Sequence, residues 1–105
     1  MKSKAFLGEE LTRSIAMIII RRVAGFKEED LILKDSSERS REIIKIIIDR
    51  ISETIIIRTS NGIYCRLCGR GPLSRRGVYL HMRRVHLDDI IRIINEEYDS
   101  IVRTY

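Results

Sequence analysis

At 105 residues the chain has room for one small domain, or for a small domain with a still smaller module attached. It is 44 % hydrophobic and 33 % charged, which excludes a disordered tail and promises a packed core, and its net charge of +5 favours anionic partners. The longest unbroken apolar run, Ile15–Ile20, falls far short of the roughly 20 residues a bilayer requires.

In chain order, Leu11, Ile15, Ile18, Ile19 and Val23 recur at helical spacing, with Glu9 and Glu10 in the first turn, Arg21 and Arg22 in the last and Gly25 as a stop. This predicts a helix over 9–24. Residues 27–34 are ambiguous, because Leu31-Ile32-Leu33 suits either a short strand or another helical turn. Asp35 and Glu38 have the spacing of a capping box. The helix they open, 36–53, places Ile43, Ile44, Ile47, Ile48 and Ile51 on one face and Glu42, Lys45, Asp49 and Arg50 towards water.

Residues 54–59 are β-branched except at Arg58, and Asn61-Gly62 separates them from Ile63-Tyr64-Cys65, so an antiparallel hairpin is expected within 54–68. Gly69, Gly71 and Pro72 mark a loop, and Ser74 is a cap for a helix over 74–86. Leu87, Ile90, Ile91, Ile94, Tyr98, Ile101 and Val102 give a last amphipathic helix over 88–104, with Asp88 and Asp89 at its start. The fold class is therefore α+β. Residues 1–53 read as an Ile-rich helical region, 54–86 as hairpin plus helix, and 87–105 as a helix returning onto the first region.

Charge is unevenly distributed. Residues 60–86 carry six arginines (Arg66, Arg70, Arg75, Arg76, Arg83, Arg84) and no acid, whereas residues 87–105 carry five acids against two arginines. Six unopposed guanidiniums in one short segment build a field that attracts a polyanion. The same segment holds both cysteines and both histidines of the chain.

Those four, Cys65, Cys68, His81 and His86, read C-x2-C-x12-H-x4-H. A Cys-x-x-Cys turn at a hairpin aims two thiolates at one point, and a helix packed across it brings two imidazoles to complete a tetrahedron that suits Zn2+. The competing readings are a Cys65–Cys68 disulfide and a redox Cys-x-x-Cys beside ordinary surface histidines; both leave the histidine spacing unexplained. One structural zinc is expected. Four protein ligands leave no open position for a reacting water, and no third histidine or nearby acid is expected to join them. Some 25 residues cannot bury enough apolar surface alone, and the metal contributes on the order of 10–16 kcal/mol to such a module.

Residues 64–86 thus resemble a Cys2His2 zinc finger. The resemblance covers about a fifth of the chain and implies a ββα unit with one zinc and a nucleic-acid-binding helix. Pro72 stands where the family has an aromatic and Val78 where it has Leu, so Leu73, Val78 and Met82 are expected to fill the small core. The histidines lie five residues apart, so the helix must change geometry near His86. By resemblance, the positions that approach base edges are Ser74, Arg76, Gly77 and Leu80, of which Arg76 is the strong guanine reader. Arg66, Arg70, Arg75, Arg83 and Arg84 are expected on phosphates.

The expected function is zinc-dependent binding of nucleic acid, double-stranded DNA ahead of RNA, in a regulatory role that rests on family analogy alone. The alternatives are an RNA or ribonucleoprotein binder and a zinc-scaffolded adaptor between proteins. An enzyme is not expected: no nucleophile–base pair, paired carboxylates or phosphate-binding loop is visible. A lone finger covers about 3 bp, and pairing two copies through the Ile-rich helices would double that reach. Glu9 and Glu10 precede any apolar stretch, which argues against a secretory signal and for an intracellular protein. With 20 Ile, 15 Arg against 5 Lys, no Gln and two Asn, the composition is that of a protein from a hot environment, such as a thermophilic archaeon or its virus.

Overall fold

The computed structural model describes residues 7–26 and 37–104. The elements run α1 (Glu9–Ala24), α2 (Glu38–Thr54), β1 (Ile56–Thr59), β2 (Gly62–Cys65), α3 (Arg75–Val85) and α4 (Leu87–Thr104). This is the expected α+β arrangement, mostly helical, with a two-stranded hairpin followed by a helix. The ambiguous stretch at 27–34 lies outside the described residues.

Each boundary has a local cause. Helix α1 ends at Gly25, whose φ of 74° is left-handed; its N–H returns to the Arg22 carbonyl and that of Phe26 to the Arg21 carbonyl. That pair of bonds is a Schellman closure, and glycine enters it at no steric cost. Helix α2 is capped by Ser37, whose Oγ accepts from the Ser40 N–H at 3.2 Å. The cap therefore sits two residues after the expected Asp35, which lies outside the described residues. At its other end α2 runs through Thr54, which was expected in the strand. The Thr54 hydroxyl donates to the Ile51 carbonyl at 3.1 Å and the Ile55 N–H does so at 3.2 Å. Local hydrogen bonds hold this β-branched stretch helical for one more residue.

The strands pair antiparallel, Ile56 opposite Cys65 and Thr59 opposite Gly62. The turn residues are therefore Ser60 and Asn61, one position before the expected Asn-Gly pair. Thr59 decides this: its hydroxyl accepts from the Asn61 N–H and donates to the Gly62 carbonyl, 3.1 and 3.0 Å. This side-chain turn draws the reversal forward. On the other edge of β2, Ile63 and Leu73 exchange two backbone hydrogen bonds, which folds the loop back over the hairpin.

Helix α1 is the centre of the packing and touches α2, α3 and α4. Ile15, Ala16, Ile19, Ile20, Val23 and Ala24 are almost wholly buried on it. Ile47 and Ile51 of α2, Ile90 and Ile94 of α4, and Val78 and Met82 of α3 close the same cluster, which also includes Ile63 and Cys65. Core and hairpin–helix unit are thus continuous. Val78 and Met82 fill the small core as expected, while Leu73 is half-buried at its margin. The large apolar side chains exposed among the described residues are Ile57, Val85 and Val102.

The C-terminal turn of α1 is clamped from two sides. The Arg58 guanidinium donates to the Val23 carbonyl at 2.8 Å, and Arg75 donates to the carbonyls of Ala24 (2.9 Å) and Gly25. Phe26 lies edge-on to Tyr79, centroids 5.7 Å apart, with the Arg75 guanidinium over its ring. Strand β1 and helix α3 are both tied to α1 by these contacts, at carbonyls that a helix end leaves without partners. No helix among the described residues is long and apolar enough to cross a membrane.

Candidate metal centre

The turn after β2 is built to present sulfur. Gly69 donates its N–H to the Cys65 carbonyl (2.7 Å), the Cys65 N–H binds the Arg70 carbonyl (2.8 Å), and Gly69 takes φ 81°. These bonds fold residues 65–70 into a tight loop in which the N–H groups of Leu67 and Cys68 face the Cys65 sulfur and that of Arg70 faces the Cys68 sulfur. N–H dipoles aimed at sulfur favour thiolate over thiol. The neighbouring Gly71 has its own reason: a Cβ there would come within 2.5 Å of the Tyr64 ring.

Helix α3 supplies the imidazoles. Ser74 accepts from the Gly77 N–H (3.0 Å) and starts the helix, which carries His81 on the side facing the loop. The five-residue interval to His86 is accommodated by ending the helix. His86 takes φ −116° and ψ 11°; its N–H still closes α3 on the Met82 carbonyl, and its own carbonyl accepts from the Ile90 N–H as α4 begins. A break between two helices thus restores a geometry that a regular helix would forbid. The last helix accordingly starts at Leu87, one residue earlier than expected.

The ligand atoms of Cys65, Cys68, His81 and His86 all lie within 4.8 Å of one another. Cys68 Sγ is 3.3 Å from His81 Nε2, and the two rings stand edge to face, 4.8 Å between centroids. With Zn–S near 2.3 Å and Zn–N near 2.0 Å, the edges of a zinc tetrahedron are roughly 3.3–3.8 Å. The group therefore needs to close by about 1 Å around an ion. Cys65, His81 and His86 are buried and Cys68 is exposed.

One acid does lie at the site, contrary to the expectation of none. Asp89 Oδ2 is 2.8 Å from His86 Nδ1. A carboxylate only accepts, so it places the proton on Nδ1 and leaves the Nε2 lone pair free. That Nε2 is buried and has no hydrogen-bond partner. A buried imidazole nitrogen with its other nitrogen fixed by a carboxylate is the usual arrangement of a metal-binding histidine. The signal was present in the sequence as Asp89 at i+3 from His86, but it required knowing that His86 opens a helix.

The ionisation of the four is consistent with this. Burial raises the Cys65 thiol, against the pull of the N–H groups of Cys68 and Leu67. Cys68 is lowered, chiefly by its interaction with His86 and then by the Arg70 N–H. His81 is lowered by burial first and by the nearby His86 and Arg70 charges second. For His86, burial favours the neutral ring, but the Asp89 hydrogen bond and the Cys68 sulfur outweigh it and raise the pKa. Two thiolates, two imidazoles and an orphaned buried Nε2 fit one soft-to-borderline divalent ion, with zinc foremost. Among the described residues no other cluster of this kind occurs.

The expected nucleic-acid residues divide. Arg66, Arg70, Arg76, Arg83 and Arg84 are exposed, and none forms an ion pair with a carboxylate of the described residues. Leu80 is half-buried on the same side of α3 as Arg76, Arg83 and Arg84, about a hundred degrees of helix surface. Arg75 is not in that set: its guanidinium is committed to the end of α1. Ser74 uses its oxygen as the helix cap. Comparison of the chain with family models, curated proteins and solved structures returns no match, so its likeness to Cys2His2 fingers rests on four ligands, their spacing and a hairpin–helix junction.

Proposed function

We propose that the chain is a zinc-stabilised nucleic-acid-binding protein, with duplex DNA as its ligand and a structural role for the ion. What carries the reading is one outward face of α3, where Arg76, Leu80, Arg83 and Arg84 stand together with no carboxylate partner among the described residues. Arg66 and Arg70 extend the charge into the cysteine loop. Two thiolates cancel the charge of Zn2+, so metal loading leaves this positive field intact. By likeness to Cys2His2 fingers, Arg76 and Leu80 hold base-edge positions, Arg76 with guanine O6 and N7 as its natural partner and Leu80 able at most to touch a thymine methyl, while Arg83 and Arg84 are placed for phosphates. Affinity should come from phosphates and discrimination should be weak.

The ion's place in this is mechanical. It ties the loop of residues 65–70 to the α3–α4 junction and fixes the angle at which α3 presents its face. With all four positions taken by protein, it has no site for a reacting water, and we assign the protein no catalytic step. The test is a salt titration of binding to a short duplex by the zinc-loaded protein. Four arginines on phosphate, Arg66, Arg70, Arg83 and Arg84, give a log–log slope of about −3 to −4. A flat slope, or no binding to any duplex, overturns the reading, and a stronger hold on structured RNA at equal salt moves it from DNA to RNA.

A further inference from the structure

A cavity of about 390 Å3 opens between the C-terminal halves of α1 and α2 and strand β1. Its polar lining is Arg22, Asp49, Ser52, Glu53 and Arg58, with Val23 and Ile56 as the apolar part. Arg22 and Asp49 are paired with each other across the helices. Arg58 uses part of its fork on the Val23 carbonyl, and its remaining donors have no carboxylate among the described residues. Glu53 has no cation among them either. Ser52 is more than nine-tenths buried, and its Oγ has no hydrogen-bond partner. A buried hydroxyl left unpaired costs stability, on the order of 1–3 kcal/mol, unless something supplies the bond.

We infer that this cleft binds a small zwitterion, a molecule of amino-acid size carrying one ammonium and one carboxylate. The volume falls within the range of small-molecule sites, which run from about 300 to 1,000 Å3, and has ample room for an amino acid. No aromatic side chain among the lining residues offers a stacking surface for a base. Two guanidiniums balance two carboxylates, so neither a polyphosphate nor a polyamine finds a matching net charge. What the cleft leaves open is one carboxylate (Glu53), one set of guanidinium donors (Arg58) and one hydroxyl (Ser52). A ligand ammonium on Glu53, a ligand carboxylate on Arg58 and either end on Ser52 satisfy all three. The site is independent of the nucleic-acid reading.

The test uses the full-length zinc-loaded protein with L-alanine and L-serine as probes, and acetate, methylammonium and inorganic phosphate as controls. Backbone amide shifts across residues 49–58 should move saturably with the amino acids at millimolar concentration and not with the controls. Glu53→Gln, at an exposed position, should weaken that binding at least tenfold while the fold is unchanged. Ser52→Ala should weaken it as well, yet leave the thermal midpoint of the ligand-free protein unchanged or raised, because it removes an unpaired hydroxyl. Absence of any saturable shift with both amino acids overturns the inference, as does an equal response to acetate or phosphate.

Discussion

Asp89 illustrates how much a single side chain settles at the metal centre. By accepting from His86 Nδ1 it fixes tautomer and ring orientation and raises the basicity of the ligand nitrogen. Asp89→Ala should lower zinc affinity about 10- to 100-fold, measured by competition with a chelator, without abolishing the site. The pH dependence follows from the same contacts. Zinc needs both imidazoles neutral and both thiols deprotonated. Cys65 is raised, so zinc binding near neutrality must expel its proton and affinity climbs with pH. His86 is also raised, so on acidification it starts to compete for protons at a higher pH than an ordinary imidazole, and His81, lowered by burial, only at a lower one. Affinity should therefore steepen its fall as pH drops through the His86 titration. In Asp89→Ala that steepening should move to lower pH, a displacement visible in the same competition assay run across pH.

At the scale of elements, the proposed function gives α3 two faces with separate duties, and they can be separated experimentally. Arg75→Ala removes the clamp on α1 and its stacking on Phe26, so it should lower stability by roughly 1–3 kcal/mol in denaturant titration while duplex affinity in the folded protein changes little. Arg83→Ala with Arg84→Ala should do the reverse: an unchanged unfolding midpoint and a salt slope shallower by about 2. Equal loss of affinity from both would contradict the division. Gly25→Ala belongs with the first group, since it forces a left-handed non-glycine residue whose Cβ meets Arg75 Nε at 3.2 Å; a cost of about 1–2 kcal/mol is expected.

These two faces also mark where the sequence could be read and where it could not. Periodicity placed α1 and α4 to within a residue, because Ile and Leu at i, i+3 and i+4 report the burial that makes the helix. The four ligands were legible from spacing alone, since a tetrahedron restricts which intervals work. The turn at Ser60-Asn61 and the extension of α2 to Thr54 were not, because each depends on a threonine hydroxyl choosing a local backbone partner over the strand ladder. Arg75 was read as a phosphate contact for a similar reason: in sequence it stands among six alike arginines, and only the packing of α3 on α1, some 50 residues away in the chain, sets it apart.

Across the whole molecule, the hairpin–helix unit and the other helices share one interior, with Val78 and Met82 of α3 in the same cluster as Ile19 and Ile20 of α1. A cavity anywhere in that interior should therefore be felt everywhere. Ile19→Ala should cost about 2–5 kcal/mol in a single cooperative transition, and it should weaken zinc retention alongside. An ion bound by the four ligands would be the other fastener of this arrangement, holding the loop of residues 65–70 to the junction of α3 and α4. Native mass measurement of the purified protein before and after chelation, with the thermal midpoint recorded on both samples, tests this most directly. The account predicts one zinc per chain, lost on chelation together with a large drop in the midpoint, and absent from Cys65→Ser. A chain that carries no metal, or that melts at the same temperature with and without it, would contradict the account.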